Sequence, residues 1–247
     1  MFVFKDISSD NMGVFETEHF PIPVANQRTQ EQVIPGRHGV ITTIDDGYEG
    51  QEISSEVYAK CEPGTATRDS IIKWLQGSGK LILEGCNDRF FYARVSNLIT
   101  VSQFLINEVY TFPLYFKCEP FGYLFDGQRH FTLRKEDFSG DAIIANINNI
   151  GNIHSQPKIT VVGSGDITVT ITQLGTNNTS TFNLVNLPSN YTITINSHTM
   201  ECYNSANIDC GEFMEGDYPI FFEGMNEVKV EGEGVISVEI TPKWRCL

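Results

Sequence analysis

Between residues 159 and 240 apolar side chains recur at every second position, and a chain patterned at period two has few folds open to it. Ile159 alternates with Val161, and Ile167, Val169 and Ile171 oppose Thr168, Thr170 and Thr172. Phe182 and Leu184, then Tyr191, Ile193 and Ile195, then Val228 and Val230 follow the same rule. Ile236, Val238 and Ile240 oppose Val235, Ser237 and Glu239. Each run puts one apolar face on a short strand. Gly163-Ser164-Gly165, Asn177-Asn178, Pro188-Ser189-Asn190 and Gly232-Glu233-Gly234 read as the turns between them. Short strands with one apolar face each, spaced in this way, predict a β-sandwich or jelly roll.

The first half is also strand-rich, with weaker regularity. Strands are predicted at Phe2–Lys5, Val14–Glu16, Lys80–Leu83, Phe91–Val95 and Val109–Phe116. Pro21, Pro23 and Pro35 keep residues 20–35 out of any central strand. Pro35-Gly36-Arg37-His38-Gly39 and Asp46-Gly47 are turn signals. One helix is predicted over 67–76. Thr67 caps it, Asp69 sits in its first turn, Ile71, Trp74 and Leu75 share a face, and Gly77 and Gly79 end it. The charge run Arg134-Lys135-Glu136-Asp137 and the breakers Ser139-Gly140-Asp141 mark a linker, so two domains are expected, 1–138 and 139–247. The fold class is mainly β, with a helix-bearing first domain and a sandwich as the second.

The charge narrows the function. Residues 1–135 hold 13 basic and 17 acidic groups, a net of −4, and residues 136–247 hold 4 and 14, a net of −10. Gripping phosphate needs clustered Lys and Arg, so specific nucleic-acid binding is not expected. A surface past which DNA slides without sticking has this balance, and so does an ordinary soluble acidic protein. The first domain, whose residues 1–135 carry the −4, is the expected channel wall, where Arg28, Arg37 or Arg89 could form a local basic band. No run approaches the roughly 18 apolar residues of a membrane span. The start of the chain, Met1-Phe2-Val3-Phe4-Lys5-Asp6, carries no secretory signal, so free thiols are expected of Cys61, Cys86, Cys118, Cys202, Cys210 and Cys246.

No catalytic, cofactor-binding or metal-binding set emerges. The six cysteines form no C-x-x-C pair, and His19, His38, His130, His154 and His198 stand far apart in sequence. Ser78 in Gly77-Ser78-Gly79 is a helix stop and lacks the G-x-S-x-G frame. Gly163-Ser164-Gly165 lacks the third glycine and following helix of a phosphate loop. Asp45, Asp46 and Glu49 lack the spacing of a calcium loop and read as a solvated loop. Paired carboxylates for glycoside cleavage are set by fold, and nothing in the sequence points to a pair. The chain is expected not to be an enzyme.

Several stretches together resemble a known family. Phe2-Val3-Phe4 with Ser8-Ser9-Asp10 and Gly13-Val14 comes first, then Pro35-Gly36-Arg37-His38-Gly39, then Tyr48-Glu49 with Ile53. Arg68 to Ile72, Trp74-Leu75, Gly79-Lys80-Leu81, Tyr92-Ala93-Arg94-Val95 and Phe116-Lys117-Cys118-Glu119-Pro120 continue in order. Asn149-Ile150-Gly151, Pro157-Lys158-Ile159, Gly163-Ser164-Gly165, Gly224-Met225-Asn226 and Trp244-Arg245 follow in the second half. In this order they resemble the distal tail proteins of siphophages and prophages of Gram-positive hosts, although His38 stands where the family more often has Asp. The resemblance implies a ring-forming first domain and a galectin-like second domain, with the final strand through Trp244 packing back toward the first. It implies a structural hub of the baseplate at the virion tail tip, made in the host bacterial cytoplasm. The hub forms a hexameric ring, often doubled back to back, through which DNA passes. Its partners are the tail tube protein, the tail-associated lysin or tail fibre, and the receptor-binding protein. The competing expectation is a carbohydrate-binding module for host cell-wall glycan, with Tyr203, Phe213 or Tyr218 as stacking platforms.

Overall fold

A computed structural model describes residues 1–60, 68–97, 102–105, 109–138, 140 and 142–247. Thr67, the expected helix cap, Cys61 to Gly64, and Ser139 and Asp141 of the expected linker lie outside them. The chain forms two compact units, Met1–Gly122 with Leu247, and Tyr123–Cys246. The division falls upstream of the 138/139 boundary expected from the charge run. The reason is pairing: Phe131–Arg134 forms a strand against Ser237–Thr241 of the second unit, in register from Phe131 opposite Ile240 to Arg134 opposite Ser237.

The first unit contains β1 (Phe2–Phe4), β2 (Ile7–Ser8), β3 (Val14–Glu16), β4 (Asn26–Val33), β5 (Val40–Glu49), β6 (Gln51–Lys60), α1 (Arg68–Leu75), β7 (Ser78–Leu83), β8 (Arg89–Val95), β9 (Ser102–Leu105) and most of β10 (Val109–Leu124). One sheet runs in the order β2-β1-β7-β8-β10-β6-β3, with β9 also on β10. Along β10 the side chains of Phe112, Leu114, Phe116 and Cys118 alternate into the core. The helix predicted over 67–76 is observed at Arg68–Leu75, with Ile71, Trp74 and Leu75 buried. Gly77, at φ +84°, ends it in the left-handed conformation that glycine adopts without penalty. The ammonium of Lys5 donates to the Gln76 carbonyl there, placing a cation where the helix dipole is negative. Trp74 is 5% exposed. Its ring stacks on Phe2 at 5.7 Å and its Nε1 donates to the Phe4 carbonyl at 2.8 Å. Phe2, Phe4, Phe20 and Phe116 close the same aromatic cluster.

The second unit adds β11 (Phe131–Arg134), β12 (Ala142–Asn149), β13 (Lys158–Gln173), β14 (Thr179–Asn196), β15 (Glu201–Asn204), β16 (Met214–Gly216), β17 (Gly224–Glu231), β18 (Ser237–Thr241) and β19 (Arg245–Cys246). The alternation predicted from sequence is the burial observed: Ile159, Val161, Ile167, Val169, Ile171, Phe182, Leu184, Ile193, Ile195, Val228, Val230, Val238 and Ile240 are all buried in one core. Ile236 departs from it. It is exposed while Val235 is buried, because the strand begins only at Ser237 and the chain before it is a turn. Trp244 is buried in the second unit's core, edge-on to Phe221 at 5.4 Å, while the final strand, β19, pairs with β10.

Two expected turns are not turns. Gly163-Ser164-Gly165 lies inside β13, and Pro188-Ser189-Asn190 lies inside β14. The two sites face each other, with Gly163 opposite Tyr191 and Gly165 opposite Leu187, and the ladder shifts register there. Breakers in both strands of one hairpin bend it instead of ending it. The bend lets the first half of β13 pair with β18 and the second half with β17. Gly234 packs so closely on the Ser164 carbonyl that a Cβ there would collide with it.

The turn between β14 and β15 carries a strained residue. Met200 has φ +53° and is 65% exposed. A non-glycine side chain in the left-handed region is disfavoured, and this one gains little from burial. Met200→Gly is expected to raise stability by about 1 kcal/mol, less what glycine's freer unfolded chain removes. The urea midpoint would move upward with the slope unchanged.

Candidate assembly surface

β4 and β5 pair with each other and form a separate two-stranded sheet. The turn between them is the Pro35–Gly39 stretch, where Gly36 and Gly39 have φ +85° and +81°. Asp46-Gly47, read as a second turn, instead lies within β5. The strand shifts register opposite Arg28 and ends only at Glu49. Gly47 admits the Arg28 guanidinium beside the backbone, at 3.3 Å from where a Cβ would stand. At the base of the ribbon Tyr48 packs edge-on to Phe121 at 5.2 Å.

Every residue of β4 is exposed. Val33 is 72% exposed and Ile44 is 62% exposed, with Ile34 and Val40 also open to solvent. An isolated two-stranded hairpin is marginal in water. A strand edge of unpaired amides is a template for another chain. Eight strand residues span about 26 Å at ~3.3 Å each. The ribbon therefore has the reach, the unpaired edge and the apolar side chains of an arm that docks on a partner. Sequence reasoning placed this segment correctly as peripheral, through its prolines, and missed the exposed valines and isoleucines as a surface.

The chemistry-bearing residues do not converge. Arg28 pairs with Asp45 at 3.7 Å and Arg89 with Asp88 at 2.8 Å, while Arg37 lies in the ribbon turn. His19 lies 3.4 Å from Glu16. Ser78 opens β7. Among the described residues no three His, Cys, Asp or Glu side chains gather to hold a metal, and no helix is long and apolar enough to cross a membrane. Burial pushes the Cys118 thiol up to about 12, which leaves it unreactive at neutral pH.

The glycan-platform candidates divide. Phe213 packs against Tyr191 at 5.5 Å and is committed to the core edge. Tyr203 and Tyr218 line one concavity of about 520 Å³ with Met200, Glu201, Asn207 and Asp209. Burial, then the neighbouring Cys202, Asp209 and Glu201, raises the Tyr218 hydroxyl above its ordinary range, so it stays a neutral donor.

Two histidines of the second unit are held neutral. Burial and then Arg245 lower His154, with Glu223 opposing, and burial, Lys243 and Arg245 lower His198 below the ordinary 6.5. The unfolded chain thus takes up protons below 6.5 that the folded chain refuses. Stability is present above that value and falls as pH drops through it. Denaturant titrations at about pH 7.5 and about pH 5.5 are expected to show the loss, reduced in His198→Gln.

The chain thus forms two β-rich units, the first carrying one α-helix among the described residues and the β4–β5 ribbon. The fold matches the SPP1 Dit protein, gp 19.1, described as a paradigm of the hub adsorption apparatus in phages infecting Gram-positive bacteria. That match has a TM-score of 0.65 and covers 97% of this chain and 96% of that one, at 11% identity. Chains of the phage p2 baseplate in its activated conformation match with a TM-score of 0.47 with Sr (8% identity, 93% and 91% covered) and 0.43 with Ca (7% identity, 91% and 92% covered). No family model and no curated protein matches the sequence.

Proposed function

We propose that this chain is a structural hub of a siphophage tail. Copies close into a hexameric ring that joins the tail tube to the tail-tip and receptor-binding apparatus and lets DNA pass. The observation that carries this is the end-to-end fold correspondence with the SPP1 hub protein, 97% of one chain against 96% of the other. The exposed β4–β5 ribbon supports it, because a ring needs a contact whose two halves lie on different faces of one subunit, and an arm supplies one half. Light scattering on the purified protein tests it. The expected mass is six times 27.7 kDa, or twice that for two rings back to back. A monomer at high micromolar concentration overturns it.

The ring is expected to pass DNA and not hold it. A net charge of −14 opposes phosphate binding, and Arg28 and Arg89 each sit beside a carboxylate. A gel shift with duplex DNA at low salt is expected to show no complex.

A second reading is favoured by the concavity of Tyr203 and Tyr218 beside Glu201 and Asp209. Aromatic faces with nearby carboxylates can stack on and hydrogen-bond a sugar. Glycan-array binding by the full chain distinguishes it from a purely structural role.

A further inference from the structure

Cys202 and Cys210 stand opposite each other on neighbouring backbone segments. Tyr203 and Asp209 form an antiparallel bridge. The amide of Cys210 donates to the Cys202 carbonyl at 2.8 Å, and that of Asn204 to the Ile208 carbonyl at 3.0 Å. The two cysteines are thus the next directly opposed pair in the ladder. Opposed residues of an antiparallel pair share a face, and their Cα atoms are about 5.5 Å apart at hydrogen-bonded positions. That separation lies inside the range a disulfide spans. Both side chains enter the same core, and the Cys202 sulfur lies 3.5 Å from the Cys210 carbonyl oxygen. Both are free thiols.

The geometry points to Cys202 and Cys210 as a site of oxidative modification, a thiol pair that closes to a cross-strand disulfide under a small-molecule disulfide oxidant. One thiolate attacks the oxidant's S–S bond, and one thiol of the oxidant departs with the electron pair and takes up a proton. The second cysteine, losing its proton, attacks the mixed disulfide and expels the other thiol. Two S–H bonds are lost, one S–S bond forms in the protein, and the oxidant is reduced to two thiols. A reducing compartment keeps the pair open and an oxidising one closes it.

Access comes through the concavity, since Cys202 lines it between Met200 and Tyr203. The closed bond ties β15 to the segment that carries Asp209, and so fixes the rim on which Tyr203 and Asp209 sit. The hydroxyl of Tyr191, 3.2 Å from the Cys210 sulfur, flanks the site. Burial, and then the neighbouring Cys210, push the Cys202 thiol up to about 11, so closure is slow at neutral pH and accelerates as pH rises. The inference stands apart from the hub reading, since it requires only the local ladder.

The test is oxidation of the native full chain with oxidised glutathione, followed by denaturation, alkylation and peptide mapping. Chymotrypsin cuts after Tyr203 and separates the two cysteines. The expected result is one linked peptide pair, released by dithiothreitol, with the intact protein lighter by two hydrogen atoms. Two of the six cysteines resist alkylation, and the near-ultraviolet circular dichroism is otherwise preserved. The proposal is overturned if all six still alkylate after exposure at raised pH, if glutathione remains attached to one cysteine, or if the bond joins any other pair.

Discussion

Trp74→Ala is expected to destabilise the first unit by roughly 3–5 kcal/mol, the range for truncating a large buried aromatic. Three losses combine. The side chain is 5% exposed, so its removal leaves a void that the surrounding sheet and helix fill only in part. The stacked contact with Phe2 and the edge contact with Phe4 disappear. The Phe4 carbonyl also loses the indole N–H that satisfies it at 2.8 Å. Trp74→Phe separates these effects, because it keeps much of the packing and deletes the hydrogen bond. Its expected loss is smaller, by the share that belongs to the void. Urea unfolding followed by a probe in the first unit measures both. A loss below about 1 kcal/mol for the alanine variant would sink the account, since that is the scale of an ordinary surface change.

Val33→Asp combined with Ile44→Asp is expected to abolish self-association while leaving the protomer folded. Both side chains are more than half exposed, so their replacement changes protomer stability by about 0.5 kcal/mol or less. In a docked arm the same two positions enter an apolar contact. Burying a carboxylate there without a partner costs several kcal/mol at each contact. The contact repeats at every junction of a closed ring, so the effect multiplies around it. Light scattering is expected to move from the assembled mass to that of one chain, with unchanged far-ultraviolet circular dichroism. A variant that assembles like the parent would remove the ribbon from the ring contact. A parent that is itself monomeric would instead remove the ring. The two failures are therefore distinguishable.

Much of the fold was legible before any coordinates, and the reason is that period is a local property. Ile167, Val169 and Ile171 announce one buried face wherever the strand ends up, and Ile71, Trp74 and Leu75 announce one helical face. The ordered series of short motifs along the chain carried the resemblance to tail-hub proteins, and the fold correspondence accords with it over nearly the whole length. What the local pattern left open was partnership. Gly163-Ser164-Gly165 and Pro188-Ser189-Asn190 carry strong breaker signals, and only their meeting across one hairpin turns two expected ends into a bend. Val33 and Ile44 look like ordinary strand residues. Among the described residues no third strand joins the β4–β5 pair, which leaves them exposed, and that depends on where the rest of the sheet closes. Cys202 and Cys210 are unremarked in sequence, at no motif spacing, and become a pair only because the chain turns back between them. Alternation and helical spacing are written residue by residue. Register, neighbour and exposure are settled by long-range pairing, where each choice depends on segments far away in the chain.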